Sequence, residues 1–279
     1  MGEVDEGGSV PELKVENRGE KPVLLMDGEE LAGAKQNRVL NTSILVPAKS
    51  QLVIPVSCTE AGRWHYESRY FEDSDNVLVH SVRSRKAQTV TESLERHAEF
   101  QSDQALVWDE IDRVAERAGV HSPTGAIRDV IQARGKELEE YLEAFPCRKG
   151  QRGLLVLING RAAGMDVLSR ASAYKVLHPK LLKSYAMEAF LTQGRKPPKP
   201  TPEKAREFLS RAVNCEERKY RSVGLGWDYR FLGKRMLGSA LVYRKAVVHA
   251  AFFEMAQAER AGRMAGLNSR RGFRGEYVL

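Results

Sequence analysis

One short stretch holds most of the groups that acid-base or phosphate chemistry needs. Between Gly28 and Asn41 stand two carboxylates (Glu29 and Glu30), two cations (Lys35 and Arg38) and three amides (Gln36, Asn37 and Asn41). Carboxylates so placed can move protons, the cations can hold a phosphate or a developing anion, and the amides can orient a sugar. The same residues read equally as a charged turn between two strands. A second cluster follows in Cys58, Thr59, Glu60, Arg63, Trp64 and His65. Cys58 either extends the apolar face of Leu52, Ile54 and Val56 as a small buried residue, or is a nucleophile whose thiolate Arg63 or His65 favours. Glu60, three residues ahead of Arg63, is an acid-base group or one half of a structural ion pair. Glu30, Cys58 and Glu60 are thus the catalytic candidates, and Glu29, Lys35, Gln36, Asn37, Arg38, Asn41, Arg63 and Trp64 the ligand-binding ones.

Bringing the two clusters together falls to the strands that carry them. Residues 38–46 and 51–56 are runs of Val, Leu and Ile separated by Pro47-Ala48-Lys49-Ser50, which predicts a hairpin. Such pairing sets the start of the first strand about 4.8 Å from the end of the second, so Arg38 and Asn41 approach Cys58 and Glu60. Further strands are predicted at 13–15, 22–26 and 76–82. Ser102 caps a helix over 102–118 that ends at Gly119, and a longer helix spans 123–145 before Pro146. Asn159-Gly160 predicts a type I′ turn between strands 153–158 and 162–168. Pro179 opens a helix to 191, a proline-rich linker occupies 194–200, and Thr201-Pro202 begins a helix to 213. Strands at 220–225 and 238–248 precede a basic tail from 256. The expected fold class is α+β in one unit: a β-rich N-terminal part compatible by analogy with a cupin-like β-roll, a helical pair, and a second hairpin-and-helix part packed against it.

Composition narrows the class further. The 279 residues are 42% hydrophobic with mean hydropathy −0.44, and no apolar run approaches the roughly 20 residues of a membrane helix. The N-terminus lacks a basic-then-apolar leader, so a cytoplasmic location is expected. Three scattered cysteines argue against a disulfide framework, and six histidines lack ligand spacing, so no metal site is expected and no pattern names a cofactor. His249 sits in an apolar run as a core histidine. Lys183 and Ser184, adjacent on a helix and about 100° apart, do not form a nucleophilic dyad. Charge is uneven: residues 1–145 hold 17 Lys and Arg against 27 Asp and Glu, the remainder 27 against 10, so net −10 meets net +17. The basic part faces the acidic part, an anionic ligand or nucleic acid, although no nucleic-acid-binding motif is present.

Four segments carry a family resemblance. These are 24–30 (Leu-Leu-Met-Asp-Gly-Glu-Glu), 33–41 (Gly-Ala-Lys-Gln-Asn-Arg-Val-Leu-Asn), 54–64 (Ile-Pro-Val-Ser-Cys-Thr-Glu-Ala-Gly-Arg-Trp) and 181–189 (Leu-Leu-Lys-Ser-Tyr-Ala-Met-Glu-Ala). They resemble a family first described as an uncharacterised domain and named for its genomic association with ADP-ribosylglycohydrolase and rhodanese/phosphatase-superfamily proteins. The resemblance spans residues 3–253. Thr59 stands where the family usually has Val, and family members tend to carry extra sequence ahead of this start, which leaves room for a further edge strand. The resemblance implies a prokaryotic, cytoplasmic setting in nucleotide or ADP-ribose metabolism, linked to stress or defence. It carries over no reaction. Two readings follow: an enzyme acting on a phosphate-bearing, nucleotide-derived small molecule, or a non-catalytic nucleotide sensor or interaction module. A third is nucleic-acid association through the basic half.

Overall fold

The computed structural model describes residues 1–4, 10–192 and 198–255. Eight strands come first: β1 (Gly2–Glu3), β2 (Glu12–Asn17), β3 (Val23–Leu25), β4 (Glu29–Gly33), β5 (Arg38–Leu40), β6 (Ile44–Val46), β7 (Ser50–Cys58) and β8 (Phe71–Val77). Helices α1 (His80–His97), α2 (Gln104–Ala118), α3 (Ile127–Ala133) and α4 (Gly135–Ala144) follow. Beyond them lie the hairpin β9 (Gly153–Ile158) and β10 (Arg161–Leu168), then α5 (Ala171–Leu191) and α6 (Pro202–Val213). Strands β11 (Glu216–Arg221), β12 (Trp227–Leu232), β13 (Met236–Tyr243) and β14 (Ala246–Glu254) complete the order. One sheet runs β1-β2-β7-β5-β4-β8 and the other β11-β12-β13-β14-β10-β9, while β3 and β6 pair as a ribbon. The fold is α+β and β-rich, as expected, but the cupin-like roll is not confirmed by this strand order.

Several local expectations hold. Asn159 and Gly160 take φ of 50° and 71°, the positive pair that a type I′ turn needs, and join β9 to β10. Arg38 pairs with Cys58 and Leu40 with Val56, the register that the 47–50 turn predicts. Thr201-Pro202 begins α6. Other expectations need correction. The run 38–46 is two strands, because the chain leaves β7 at Asn41 and β6 pairs with β3 instead. Residues 29–33, read as a turn, form β4. The strand expected at 76–82 stops at Val77, and α1 begins three residues later. Asp103, not Ser102, caps α2, accepting from the Leu106 N–H at 3.2 Å. The helix expected over 123–145 breaks at Arg134, beside Gly135, whose backbone entropy disfavours a helix interior. Pro179 lies inside α5 rather than at its start; the buried face of Tyr174, Leu177, Leu181 and Tyr185 outweighs the one backbone bond proline removes. The strand expected at 220–225 is misplaced, since β11 ends at Arg221 and residues 222–226 turn into β12, which was unforeseen. Residues 238–248 split at Arg244 and Lys245, both with positive φ, into β13 and β14. Most of the linker and the basic tail lie outside the described residues.

Helix α1 escaped sequence reading because charge occupies its buried face. Arg83 and Lys86 are fully buried there beside Val82, Ala87 and Val90. Arg83 reaches Asp166 on β10 through both terminal nitrogens, at 2.7 and 3.1 Å. Lys86 reaches Asp27 and the backbone carbonyls of Leu40 and Asn41 in the first sheet. Burial opposes ionisation of Asp166, yet Arg83 and the His249 hydrogen bond hold its pKa well below the usual carboxylate range. That contribution is present above the unfolded-state pKa of about 3.9 and is lost as the pH falls below it. Replacing Arg83 by Ala leaves Asp166 charged and unpaired in the core. Urea unfolding of R83A at pH 7 is expected to show a loss of about 3–5 kcal/mol; a loss below about 1 kcal/mol would mean that the pair does not hold the sheets.

Candidate functional site

The two polar clusters do converge, at the end of the first sheet where β5 meets β7. Arg38, fully buried, donates from Nη1 to Gln36 Oε1 at 2.7 Å and to Cys58 Sγ at 2.8 Å. The Gln36 amide donates to the Glu60 carbonyl. Glu60 Oε2 accepts from the Asn37 N–H at 3.2 Å and from Arg63 Nε at 2.9 Å. Arg63 also donates to Asn37 Oδ1 at 3.0 Å and to the Ala34 carbonyl at 2.8 Å. Gln104 at the start of α2 clamps the Cys58 backbone, accepting from its N–H at 2.7 Å and donating to its carbonyl at 2.9 Å. Hence Gln36, Asn37, Arg38, Cys58, Glu60 and Arg63 form one network.

The remaining candidates take other positions. Glu30 is buried behind the network and accepts from the Thr59 hydroxyl at 2.9 Å. Glu29, its neighbour on β4, points the other way, accepting from the Met26 N–H and pairing with Lys180 on α5 at 3.0 Å. Asn41 accepts from the Ser57 hydroxyl at 2.6 Å and donates to the Phe100 carbonyl. Trp64 is 49% exposed, with Arg38 Cζ and Lys35 Nζ both 5.6 Å from its ring centroid. Lys35 also lies 5.1 Å from the Tyr66 ring.

Ionisation limits what this network can catalyse. Burial pushes the Cys58 thiol up to about 11, against the pull of Arg38, so it is not a thiolate at neutral pH. Burial would raise Glu60 too, but Arg63 and its hydrogen bonds hold it below the usual value, as a carboxylate. Glu30 shifts the other way, raised by burial over the hydrogen bond from Thr59.

Sequence reading missed the most strongly buried ionic cluster, between the sheets. Asp166 there accepts from Arg83, from the Tyr185 hydroxyl at 2.8 Å, and lies 3.2 Å from His249 Nε2. The core position expected for His249 is borne out, and its Nδ1 is 2.7 Å from Ser43 Oγ. Thr42 donates to Asp228 at 2.6 Å, and Arg230 binds Asp228 and Thr42. The signals were Asp166 inside an apolar hairpin and two cations one helical turn apart on α1. Elsewhere, a cavity of about 350 Å³ lies between β9, α4 and α5, bounded by Phe145, Val156, Leu182 and Ala186, apart from every predicted site residue. Among the described residues no group of His, Cys, Asp and Glu is arranged to hold a metal ion, and no helix is long and apolar enough to cross a membrane.

Fold and site define an α+β protein of two antiparallel sheets pinned by buried ion pairs, with a hydrogen-bonded polar network at one sheet end. The chain belongs to the family of the ARG and Rhodanese-Phosphatase-superfamily-associated Protein domain, whose sequence model matches residues 1–253. No curated protein and no solved structure matches it.

The raised pKa of Glu30 has a definite sign. The folded state binds the extra proton, so its contribution is full below the unfolded-state value of about 4.3 and declines as pH rises. Replacing Glu30 by Gln should therefore raise the melting temperature relative to the parent at pH 7.5 and do so little at pH 4; an equal effect at both would rule out titration as the cause. Iodoacetamide at pH 7.5 should leave Cys58 unmodified in the native protein, read by peptide mass spectrometry, and rapid alkylation would contradict its burial and raised pKa.

Proposed function

We propose that the network beneath Trp64 is a binding site for a phosphate-bearing, nucleotide-like small molecule, and that the chain is a ligand-binding module of nucleotide or ADP-ribose-related metabolism rather than a catalyst at this site. The observation that carries this reading is a set of unmet hydrogen-bonding groups. Arg38 Nε and Nη2 are buried without a partner among the described residues, and so are both carboxylate oxygens of Glu3. Glu3 lies close enough to Cys58 to raise its pKa, on the thiol that Arg38 touches. A guanidinium is always charged, and its two free N–H groups match the oxygens of one phosphate; the Glu3 carboxylate matches the hydroxyls of a sugar. Trp64 offers a half-exposed ring on which a base can stack, with Lys35 beside it.

Binding is favoured over turnover by the ionisation states. Glu60 is engaged as a carboxylate by Arg63, and Cys58 is a thiol, so neither is poised for proton transfer or attack near pH 7. The family's name, which couples it to ADP-ribosylglycohydrolase and rhodanese-phosphatase proteins, agrees with a phosphate-related role.

The test titrates the protein with ADP-ribose, AMP and inorganic phosphate by isothermal calorimetry. Saturable binding of the nucleotides is expected, weakened roughly tenfold or more in R38Q, which loses charged hydrogen bonds. Trp64→Ala, at an exposed position that leaves the fold intact, should weaken nucleotides but not inorganic phosphate. ADP-ribose should be recovered unchanged by chromatography. Absence of binding, or equal affinity in W64A, would overturn the reading, and a new product would restore the enzymatic one.

A further inference from the structure

We propose that the open face of the second sheet, at its β11–β12 end, is a platform for single-stranded nucleic acid. Alternation along β12 turns Asp228, Arg230 and Leu232 inward, where all three are buried, and turns Trp227, Tyr229 and Phe231 outward. The Tyr229 and Phe231 rings stack, 15° from parallel with centroids 6.4 Å apart, and Trp227 continues the row. Beside that row the sheet is low: Ala240 pairs with Tyr229, Gly238 with Phe231, and Ala250 with Ala240. Helix α6 covers the Phe231 end, where Phe208 and Ala212 pack near Phe252, and its cluster reaches Ala250; Ala240 is buried, so the open part of the face lies at Trp227 and Tyr229. At the other end Trp227 is 38% exposed.

Cations border the rings on their other side. On β11, Arg221 pairs with Trp227 and Lys219 with Tyr229. Lys219 Nζ stands 4.1 Å from the Trp227 ring centroid, and Arg221 Cζ 5.2 Å from it. The exposed turn of Arg244 and Lys245 adds two cations at the same end of the sheet, because Val242, which precedes it, pairs with Trp227. None of these four forms an ion pair with a described residue, whereas the neighbouring Arg218, on the opposite face of β11, is engaged by Glu95 and Glu216. Two carboxylates lie on the platform side, both toward the covered end: Glu217 pairs with Phe231, and Glu254, opposite Met236, is engaged by Arg211 and Arg235.

Rings in a row with cations beside them fit a chain of alternating bases and phosphates. Outward side chains two apart on a strand stand about 6.7 Å from each other, twice the spacing of stacked bases, so the platform suits bases splayed from one another. Only a single strand presents its bases that way, since a duplex keeps them paired and stacked. An acidic peptide would meet the cations but leave the rings unused. Base-to-ring stacking and phosphate contacts are the two terms by which single strands are held without a sequence code.

Fluorescence anisotropy of labelled 12-mers measures this on the full chain: oligouridylate, oligothymidylate, a 12-base-pair DNA duplex and a poly-glutamate peptide. Saturable single-strand binding is expected, falling roughly tenfold between 50 and 200 mM salt. Trp227→Ala and Tyr229→Ala should each weaken it at least about fivefold. Lys219→Gln with Arg221→Gln should reduce the slope of log affinity against log salt by about 0.7 per cation removed. These side chains lie on the outer face, so circular dichroism and melting should match the parent. Preference between the uridylate and the thymidylate distinguishes RNA from DNA as the source. Absence of single-strand binding at 50 mM salt, duplex or poly-glutamate binding as tight as the single strand, or unchanged affinity in both ring variants would overturn the proposal.

Discussion

Two cations on one helix hold the two sheets in place. Arg83 and Lys86 are one turn apart on α1; the first is held by Asp166 in the second sheet, the second by Asp27 and the carbonyls of Leu40 and Asn41 in the first. A buried charge without its partner is far costlier than an absent apolar contact, so each pair sets position more strictly than the surrounding valines and leucines. The backbone is shaped around this contact. Gly28 has φ +84°, and a Cβ there would lie 2.8 Å from Arg83 Nε. Thr42 and Ser43, where the chain passes from one sheet to the ribbon, meet Asp228, Arg230 and His249 and tie the break to the second sheet.

That arrangement leaves the polar network at the sheet end with little freedom. Its carboxylate, guanidinium and amides largely satisfy one another, which holds Glu60 ionised and leaves Cys58 a thiol. Arg38 differs from the rest, since the network engages only its Nη1. Thr59 has a role there that a valine could not fill, because its hydroxyl is a hydrogen-bond donor to the buried Glu30.

The charge asymmetry resolves in part within the molecule. Lys180 meets Glu29 and Asp73, and Arg218 meets Glu95, pairing the basic half with the acidic one. Lys219 and Arg221 instead stand over the Trp227 ring.

Local chemistry was legible wherever a residue's own backbone preference decided the outcome. Asn159-Gly160 supplies the positive φ of its turn, Pro202 opens α6, and the 47–50 turn brings Arg38 beside Cys58 through strand pairing alone. Membership of the family was legible too, because long motifs such as residues 33–41 and 54–64 are specific. Alternation did not separate β5 from β6, since Thr42 and Ser43 leave the sheet for partners more than 180 residues away. Helix α1 was hidden because its buried positions include Arg83 and Lys86, which a hydrophobic pattern assigns to solvent. Only the tertiary structure supplies Asp166 and Asp27, the counter-charges that let those cations be buried. For the same reason the sequence could nominate Cys58, Glu60 and Arg38 as chemical groups but not their states: burial and neighbours contributed by distant strands determine which group keeps its proton and which is left without a partner.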